Sequence, residues 1–152
     1  MPIDVVIPAH NAAPCVARAV RSALAQEHVG RVIVVADACT DDTEHVAREA
    51  GADVVIPADE HSAGVSRNIG VKAATSKWVA FLDADDHYCP HWLQDVHTAL
   101  QGPVGNDVMF VLGRPVFRHP DGTVVLGPRA PHGGLPPVDR TGCPLQWPQS
   151  AS

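Results

Sequence analysis

Short apolar runs alternate with helix-period stripes along the first two-thirds of the chain. Residues 3–7 form an apolar run that ends at Pro8 and predicts a buried strand. Asn11 stands where a helix N-cap belongs, and Pro14 falls in the first turn. Val16, Ala19, Val20, Ala23 and Leu24 then recur at helical spacing and give that helix one apolar face. Residues 32–36 are a second, β-branched strand. Asp41 with Glu44 three positions later has the form of a capping box, and predicts a short helix to Ala50 with Gly51 at C′. Residues 53–56 make a third strand, stopped by Pro57.

After a polar loop over residues 58–64, Val65, Ile69 and Ala73 mark a third helix with a modest stripe. Residues 78–82 are a fourth strand, and Pro90 opens a helix that turns Trp92, Leu93, Val96 and Leu100 inward. Residues 108–112 predict a fifth strand. Residues 116–119 and 123–126 flank Pro120-Asp121-Gly122 and predict a hairpin. From Gly127 onward no period survives. Six prolines and four glycines make residues 127–152 an extended arm, with Leu135, Leu145 and Trp147 able to dock it on another surface. The expected organisation is therefore an α/β domain over residues 1–126 and a Pro/Gly-rich arm over 127–152.

Strands alternating with helices imply a mostly parallel sheet with right-handed crossovers. Ligands of such sheets bind beyond the carboxyl ends of the strands, where strand order reverses. Pro8-Ala9-His10-Asn11 follows the first strand, Asp37-Ala38-Cys39-Thr40-Asp41 the second, and Asp83-Ala84-Asp85-Asp86 the fourth. None is a Gly-x-Gly-x-x-Gly turn or a Gly-Lys-Ser phosphate loop. Carboxylates stand where a backbone cradle would be.

Composition narrows the partners. The 152 residues suit one domain, with 45% hydrophobic and 18% charged residues, an ordinary globular mix. A net charge of −6 gives no general attraction for nucleic acid or an anionic membrane. Cys15, Cys39, Cys89 and Cys143 are widely spread and read as reduced thiols. The first residues have no basic flank or long apolar run, so the expectation is a cytoplasmic protein with no transmembrane segment.

Three acids within four residues at a strand end repel one another and lose water on burial. A divalent cation removes both penalties, and hard oxygen ligands suit Mg²⁺ or Mn²⁺, ions that also coordinate diphosphates. Asp83-x-Asp85 lets one carboxylate face a sugar and the next a metal, with Asp86 as a ligand or an orienting neighbour. The alternative is a solvated acidic turn in which Asp85 or Asp86 caps the following helix. His87 and His91 read as surface histidines. Asp37 at its strand end can accept from a nucleobase N–H or simply belong to a loop. Arg67 can pair with a carboxylate or lie against a base or phosphate. Asn11 reads equally as a cap, and His10 as a polar loop residue.

Taken together, these segments resemble the family-2 glycosyltransferases, which have the GT-A fold. Residues 5–11 (VVIPAHN) look like the family's opening. Residues 34–43 (VVADACTDDT) are similar to its Val-Asp-Asp-Gly-Ser-Thr-Asp-x-Thr motif, with Ala36, Ala38 and Cys39 replacing the first Asp, the Gly and the Ser. Residues 64–70 (GVSRNIG) resemble Gly-x-Ala-Arg-Asn-x-Gly, and Asp83-Ala84-Asp85 its Asp-x-Asp metal motif. The resemblance implies strand order 3-2-1-4, a nucleotide-sugar donor (UDP- or GDP-linked), Mn²⁺ or Mg²⁺, and transfer to an acceptor hydroxyl with inversion. It assigns Pro8, Ala9, Asn11, Asp37, Arg67 and Asp83 to the donor, and Asp85, Asp83 and Asp86 to the metal.

One departure stands out. The family's later half usually supplies a base in a Glu-Asp pair, and this chain has no Glu after Glu60. Asp107 and Asp139 are the remaining candidates, each with a plainer reading as a surface acid. A non-catalytic or incomplete nucleotide-binding protein is therefore the rival reading. A homodimer that exchanges its C-terminal arm, so that a second chain completes the site, is a variant of it. A nucleotidyltransferase is less well matched, since its Gly-rich turn after the first strand is missing.

Overall fold

The computed structural model describes residues 1–101, 116–118 and 124–126. The chain separates into two units, Met1–Asp107 and Val108–Ser152. In the first, β1 (Ile3–Ala9), β2 (Val29–Asp37), β3 (Val54–Ala58) and β4 (Trp78–Phe81) form one parallel sheet in the order β3-β2-β1-β4. This is the order implied by the resemblance. Helices α1 (Val16–Leu24), α2 (Thr43–Glu49) and α3 (Ala63–Ala73) are the crossovers between strands, and α4 (Trp92–Leu100) follows β4. In the second unit, β5 (Val116–Arg118) and β6 (Val124–Leu126) pair antiparallel, as the hairpin pattern predicts. The strand expected at 108–112, the arm and the boundary at 126/127 lie outside the described residues.

All seven residues of β1, and Val32 to Asp37 of β2, are buried. Strands covered on both faces read as continuous apolar runs, which is why these two were legible. One charge interrupts β1. Asp4 is 1% exposed, and its carboxylate accepts from the backbone N–H of Arg31, Thr75 and Ser76 and from Ser76 Oγ. These bonds tie the α3–β4 turn to the amino ends of β1 and β2.

Several boundaries differ from expectation, each for a physical reason. β1 runs through Pro8 instead of stopping there. Leu82 N–H donates to Val6 O (3.1 Å), and β4 then ends, so the edge of β1 beyond Val6 has no partner strand among the described residues. Pro8 lies two residues on and faces the same side, where its missing N–H leaves no gap. Pro57 is likewise tolerated inside β3, at the edge of the sheet. Asn11 is not a helix cap. Its φ is 45°, its Oδ1 accepts from Thr40 N–H (2.8 Å), and Cys15 occupies the N-cap of α1.

The capping box of α2 is also replaced. Glu44 pairs with Arg48 at 3.2 Å, while Asp41 accepts from the backbone N–H groups of Thr43 and Ala13 (3.1 Å each) and from Thr43 Oγ1. Thr43 is itself buried and accepts from Ala12 N–H. Helix α3 begins two residues before the expected Val65, because Ser62 caps it by accepting from Val65 N–H. Helix α4 starts at Trp92 behind His91 (φ 64°) with no side-chain cap, so neither Asp85 nor Asp86 caps it.

Two small residues set close approaches. A methyl group at Gly70 of α3 would run into the side chain of Val6, which is fully buried in β1. Ala38, in the position where the related motif carries glycine, is held at φ 49°, a left-handed conformation that a Cβ disfavours. Gly70→Ala is expected to destabilise the fold by about 1–3 kcal/mol through overpacking, read as a lower urea midpoint. Ala38→Gly is expected to stabilise it by about 1 kcal/mol. Unchanged midpoints would remove both packing arguments.

Candidate functional site

The cleft opens at the carboxyl end of the sheet, where β1 and β4 part. It encloses about 620 Å³. From the end of β1 and the loop beyond it come Pro8, Ala9, His10, Asn11, Ala12 and Cys15. Asp37 comes from β2, and His61, Ser62, Ala63, Ser66 and Arg67 from the start of α3. Asp83, Ala84 and Asp85 follow β4. Seven of the expected residues (Pro8, Ala9, Asn11, Asp37, Arg67, Asp83 and Asp85) thus meet in one cavity.

Asp86 is exposed and does not line the cleft. Lost hydration first, then the charges of Asp85 and Asp83, hold its carboxyl above the usual range, against the opposing effect of His87 and Arg18. His87 and His91 are exposed, as expected. Cys15, Cys39 and Cys89 are free thiols. Asp107, Asp139 and Cys143 lie outside the described residues.

Asp37 is the most committed group in the cleft. It is 4% exposed, and each oxygen accepts two hydrogen bonds. Oδ1 takes the N–H of Glu60 (2.6 Å) and His61 (3.1 Å); Oδ2 takes Ser62 N–H (2.8 Å) and Ser66 Oγ (3.0 Å). Burial pushes its pKa up, but these four donors outweigh burial and bring it down to about 2. An ionised carboxylate has about four acceptor sites, so none is left over for a nucleobase N–H. The expected base contact therefore meets a carboxylate already engaged by the β3–α3 loop. His10 sits beside it, with Nδ1 2.8 Å from Asp37 O. A carbonyl only accepts, so Nδ1 carries the proton and Nε2 is the unbonded nitrogen.

Across the cleft, Arg67 Nη2 donates to Asp83 Oδ1 at 2.6 Å. The pair joins α3 to the turn after β4, with side chains 35% and 54% exposed, which leaves both open to a ligand. The turn is closed by Asp86 N–H to Asp83 O (3.0 Å). Among the described residues no three His, Cys, Asp or Glu side chains are gathered as a complete metal cage. Mg²⁺ and Mn²⁺ do not need one. Mg²⁺ in particular is bound through one or two carboxylates plus substrate phosphates and water. Asp83 and Asp85, both exposed on the cleft wall, fit that incomplete donor set.

Sequence reasoning passed over Ser62, Ser66, His61 and Cys15. Ser62 three residues before Val65 was a usable cap signal; the bond of Ser66 to Asp37 spans 29 residues and left no local trace.

The model of the family described as Glycosyl transferase family 2 matches residues 4–125. The chain belongs to this family. An uncharacterized glycosyltransferase of Nostoc sp. is 37% identical over 107 residues, 66% of this chain and 33% of its own length. The succinoglycan biosynthesis protein ExoU of Rhizobium meliloti is 38% identical over 93 residues, 58% and 27% of the two chains. The family-2 chain described here thus spans about a third of the length of these relatives.

Among solved structures, glucosyl-3-phosphoglycerate synthase from Mycobacterium tuberculosis, in complex with Mn²⁺, UDP-glucose and phosphoglyceric acid, superposes with a TM-score of 0.57. It is 27% identical, covering 67% of this chain and 40% of that one. S. aureus TarS gives 0.57 at 25% identity, covering 64% and 19%. Mannosyl-3-phosphoglycerate synthase from Rubrobacter xylanophilus, at 21% identity with a TM-score of 0.58 and 68% and 37% coverage, shares the GT-A fold.

The lowered pKa of Asp37 carries a sign. Its folded value lies below the ordinary 3.8, so its contribution is complete above pH 3.8 and fades as pH falls toward about 2. Asp37→Asn is expected to lower stability at neutral pH and to flatten the acid limb of the stability–pH curve in that window. An acid limb identical to the parent's would show that Asp37 does not hold the loop.

Proposed function

We propose that the cleft binds a nucleotide diphosphate sugar together with Mn²⁺ or Mg²⁺, and that the protein transfers the sugar to an acceptor hydroxyl with inversion. The observation that carries this reading is the Asp83-Ala84-Asp85 turn on the cleft wall, with Arg67 paired to Asp83, in a chain of glycosyl transferase family 2. The synthase from M. tuberculosis, crystallised with Mn²⁺ and UDP-glucose, supports the class of donor and metal.

Each group has a chemical part in this reading. Asp85 and Asp83 would hold the cation, which supplies neutralisation of charge on the departing diphosphate. Arg67 offers donors to diphosphate oxygens, oriented by its bond to Asp83. Pro8, Ala9 and Asn11 line the β1 side of the donor. On the side away from β4, Asp37 holds residues 60–62 as a fixed wall for the base. Direct contact of Asp37 with a base N–H would require it to release a chain donor, of which His61 N–H at 3.1 Å is the longest. In transfer, the bond from the anomeric carbon to the diphosphate breaks, and the acceptor oxygen bonds the opposite face. The acceptor's proton goes to a base outside this set of cleft residues.

A second reading, a donor-binding protein whose base comes from another chain or is absent, is favoured by the cleft itself, where Asp37 is filled by four donors and Asp83 is paired with Arg67. A screen of nucleotide sugars with Mn²⁺, followed for both binding and turnover, separates the two. Calorimetry with UDP or GDP is expected to show binding that needs Mn²⁺ or Mg²⁺ and weakens at least about 10-fold in Asp85→Ala. Equal affinity in chelator would exclude the metal role.

A further inference from the structure

We propose that α1 sets the position of Asp85 from behind, through Arg18, and that Arg18 is a positioning residue of the cation site. The proposal rests on the reading of the cleft given above. It comes from a row of polar side chains that the donor pocket does not use. Arg18 and Ser22 are spaced four residues apart on α1, which places them on one face of the helix, and Gln26 follows four residues on, just past its C-cap. All three grip the chain that follows β4. Arg18 Nη2 donates to Asp85 O at 2.6 Å. Ser22 Oγ accepts from Tyr88 N–H at 3.1 Å. Gln26, one turn further and 6% exposed, donates to Cys89 O (3.0 Å) and accepts from Leu93 N–H (3.0 Å).

The gripped segment is braced on itself as well. Tyr88 donates its hydroxyl to Phe81 O at 3.0 Å, and its ring stacks on Trp92 with centroids 4.5 Å apart. Lower down, then, the return from the acidic turn is fixed by buried groups. At the turn itself Asp86 N–H closes on Asp83 O and Arg67 holds the Asp83 side chain, while the bond from Arg18 is the one made to Asp85. Arg18 does not line the cleft, whereas Asp85 does. Its hold on the Asp85 carbonyl leaves the carboxylate free to face the cavity. This follows the general rule that partners behind a ligand orient it.

Arg18 also brings positive charge near the acids, and charge and positioning predict opposite results. If Arg18 acted by charge alone, its removal would leave the acids more negative and cation binding would tighten. If it positions Asp85, its removal loosens the turn and cation binding weakens. Arg18 is exposed, so replacing it does not open the core.

The test uses the full chain with Arg18→Met, which keeps an apolar stem, and Arg18→Lys, which keeps a donor. Backbone hydrogen exchange of Asp86 and Tyr88, measured without ligand, is expected to accelerate about 10-fold in Arg18→Met, the equivalent of one charge-assisted bond. The Mn²⁺ concentration for half-maximal UDP binding is expected to rise about 10-fold. The thermal midpoint should barely move, and Arg18→Lys should recover most of both effects. Unchanged exchange overturns the proposal, and so does a Mn²⁺ requirement that stays level or falls in Arg18→Met. A parent protein whose UDP binding ignores Mn²⁺ would instead defeat the cleft reading. The exchange comparison would then still decide whether α1 holds the turn.

Discussion

After Leu82 donates to Val6, β4 ends while β1 continues for three more residues. That parting of two parallel neighbours is the constraint on which the cleft depends. It releases the backbone of β1 from ladder pairing on one side, which lets a proline stand inside a buried strand. It opens a gap at the point where strand order reverses, the usual place for a ligand in a parallel sheet. It also delivers the acidic turn after β4 to the same gap as the loop after β1. The chemistry is carried by loops, yet each loop leaves a strand whose position the core fixes.

The loops are themselves tied down by buried or half-buried carboxylates. Asp4 at the amino end of the sheet and Asp37 at the carboxyl end each accept four hydrogen bonds from other elements. Burial alone would push both pKa values up; the donors prevail and hold both at about 2. A carboxylate satisfied in this way is a rigid multidentate anchor, and it leaves its donors no freedom to drift. Asn11 and Asp41 do similar work between the loops after β1 and β2. The strained φ values of Asn11, Ala38 and His61 all fall in this region. Backbone strain concentrates where surrounding contacts over-determine the chain, as they do around this cleft.

This division explains what could be read from the chain and what could not. Strands two-sidedly buried announce themselves as apolar runs, so β1, β2 and the sheet order suggested by family resemblance were legible. The seven cleft residues were legible because their motifs sit directly after those strands. Gly51 does stand just past the C-cap of α2 with φ 99°, but the helix N-caps were not legible. Asn11 and Asp41 have the composition of caps, but Asn11 accepts from Thr40 on another loop, and Asp41 divides itself between Thr43 beside it and Ala13 on another loop. A short polar side chain satisfies the nearest orphan N–H in space, and sequence spacing does not reveal which that is. The donors around Asp37 were not legible for the same reason. Its place at a strand end was right, while the four donors that fill it begin 23 residues further along the chain.

The same logic bears on the charge of the cleft. The chain is acidic overall, and its cleft carries Asp83 and Asp85. A diphosphate entering such a cavity meets repulsion unless positive charge is already in place. Arg67 offsets one carboxylate from within the chain, at 2.6 Å. Asp37, though ionised, is turned inward and spends its charge on backbone N–H groups. That leaves Asp85 as the carboxylate with no side-chain partner among the hydrogen bonds and ion pairs of the described residues. Under the proposed function, an exposed acid held only by its carbonyl, beside an ion pair that a phosphate can enter, would take the hard cation when the anionic ligand arrives. Cation and diphosphate each remove the other's electrostatic penalty, so their binding is expected to be mutually dependent instead of sequential and independent.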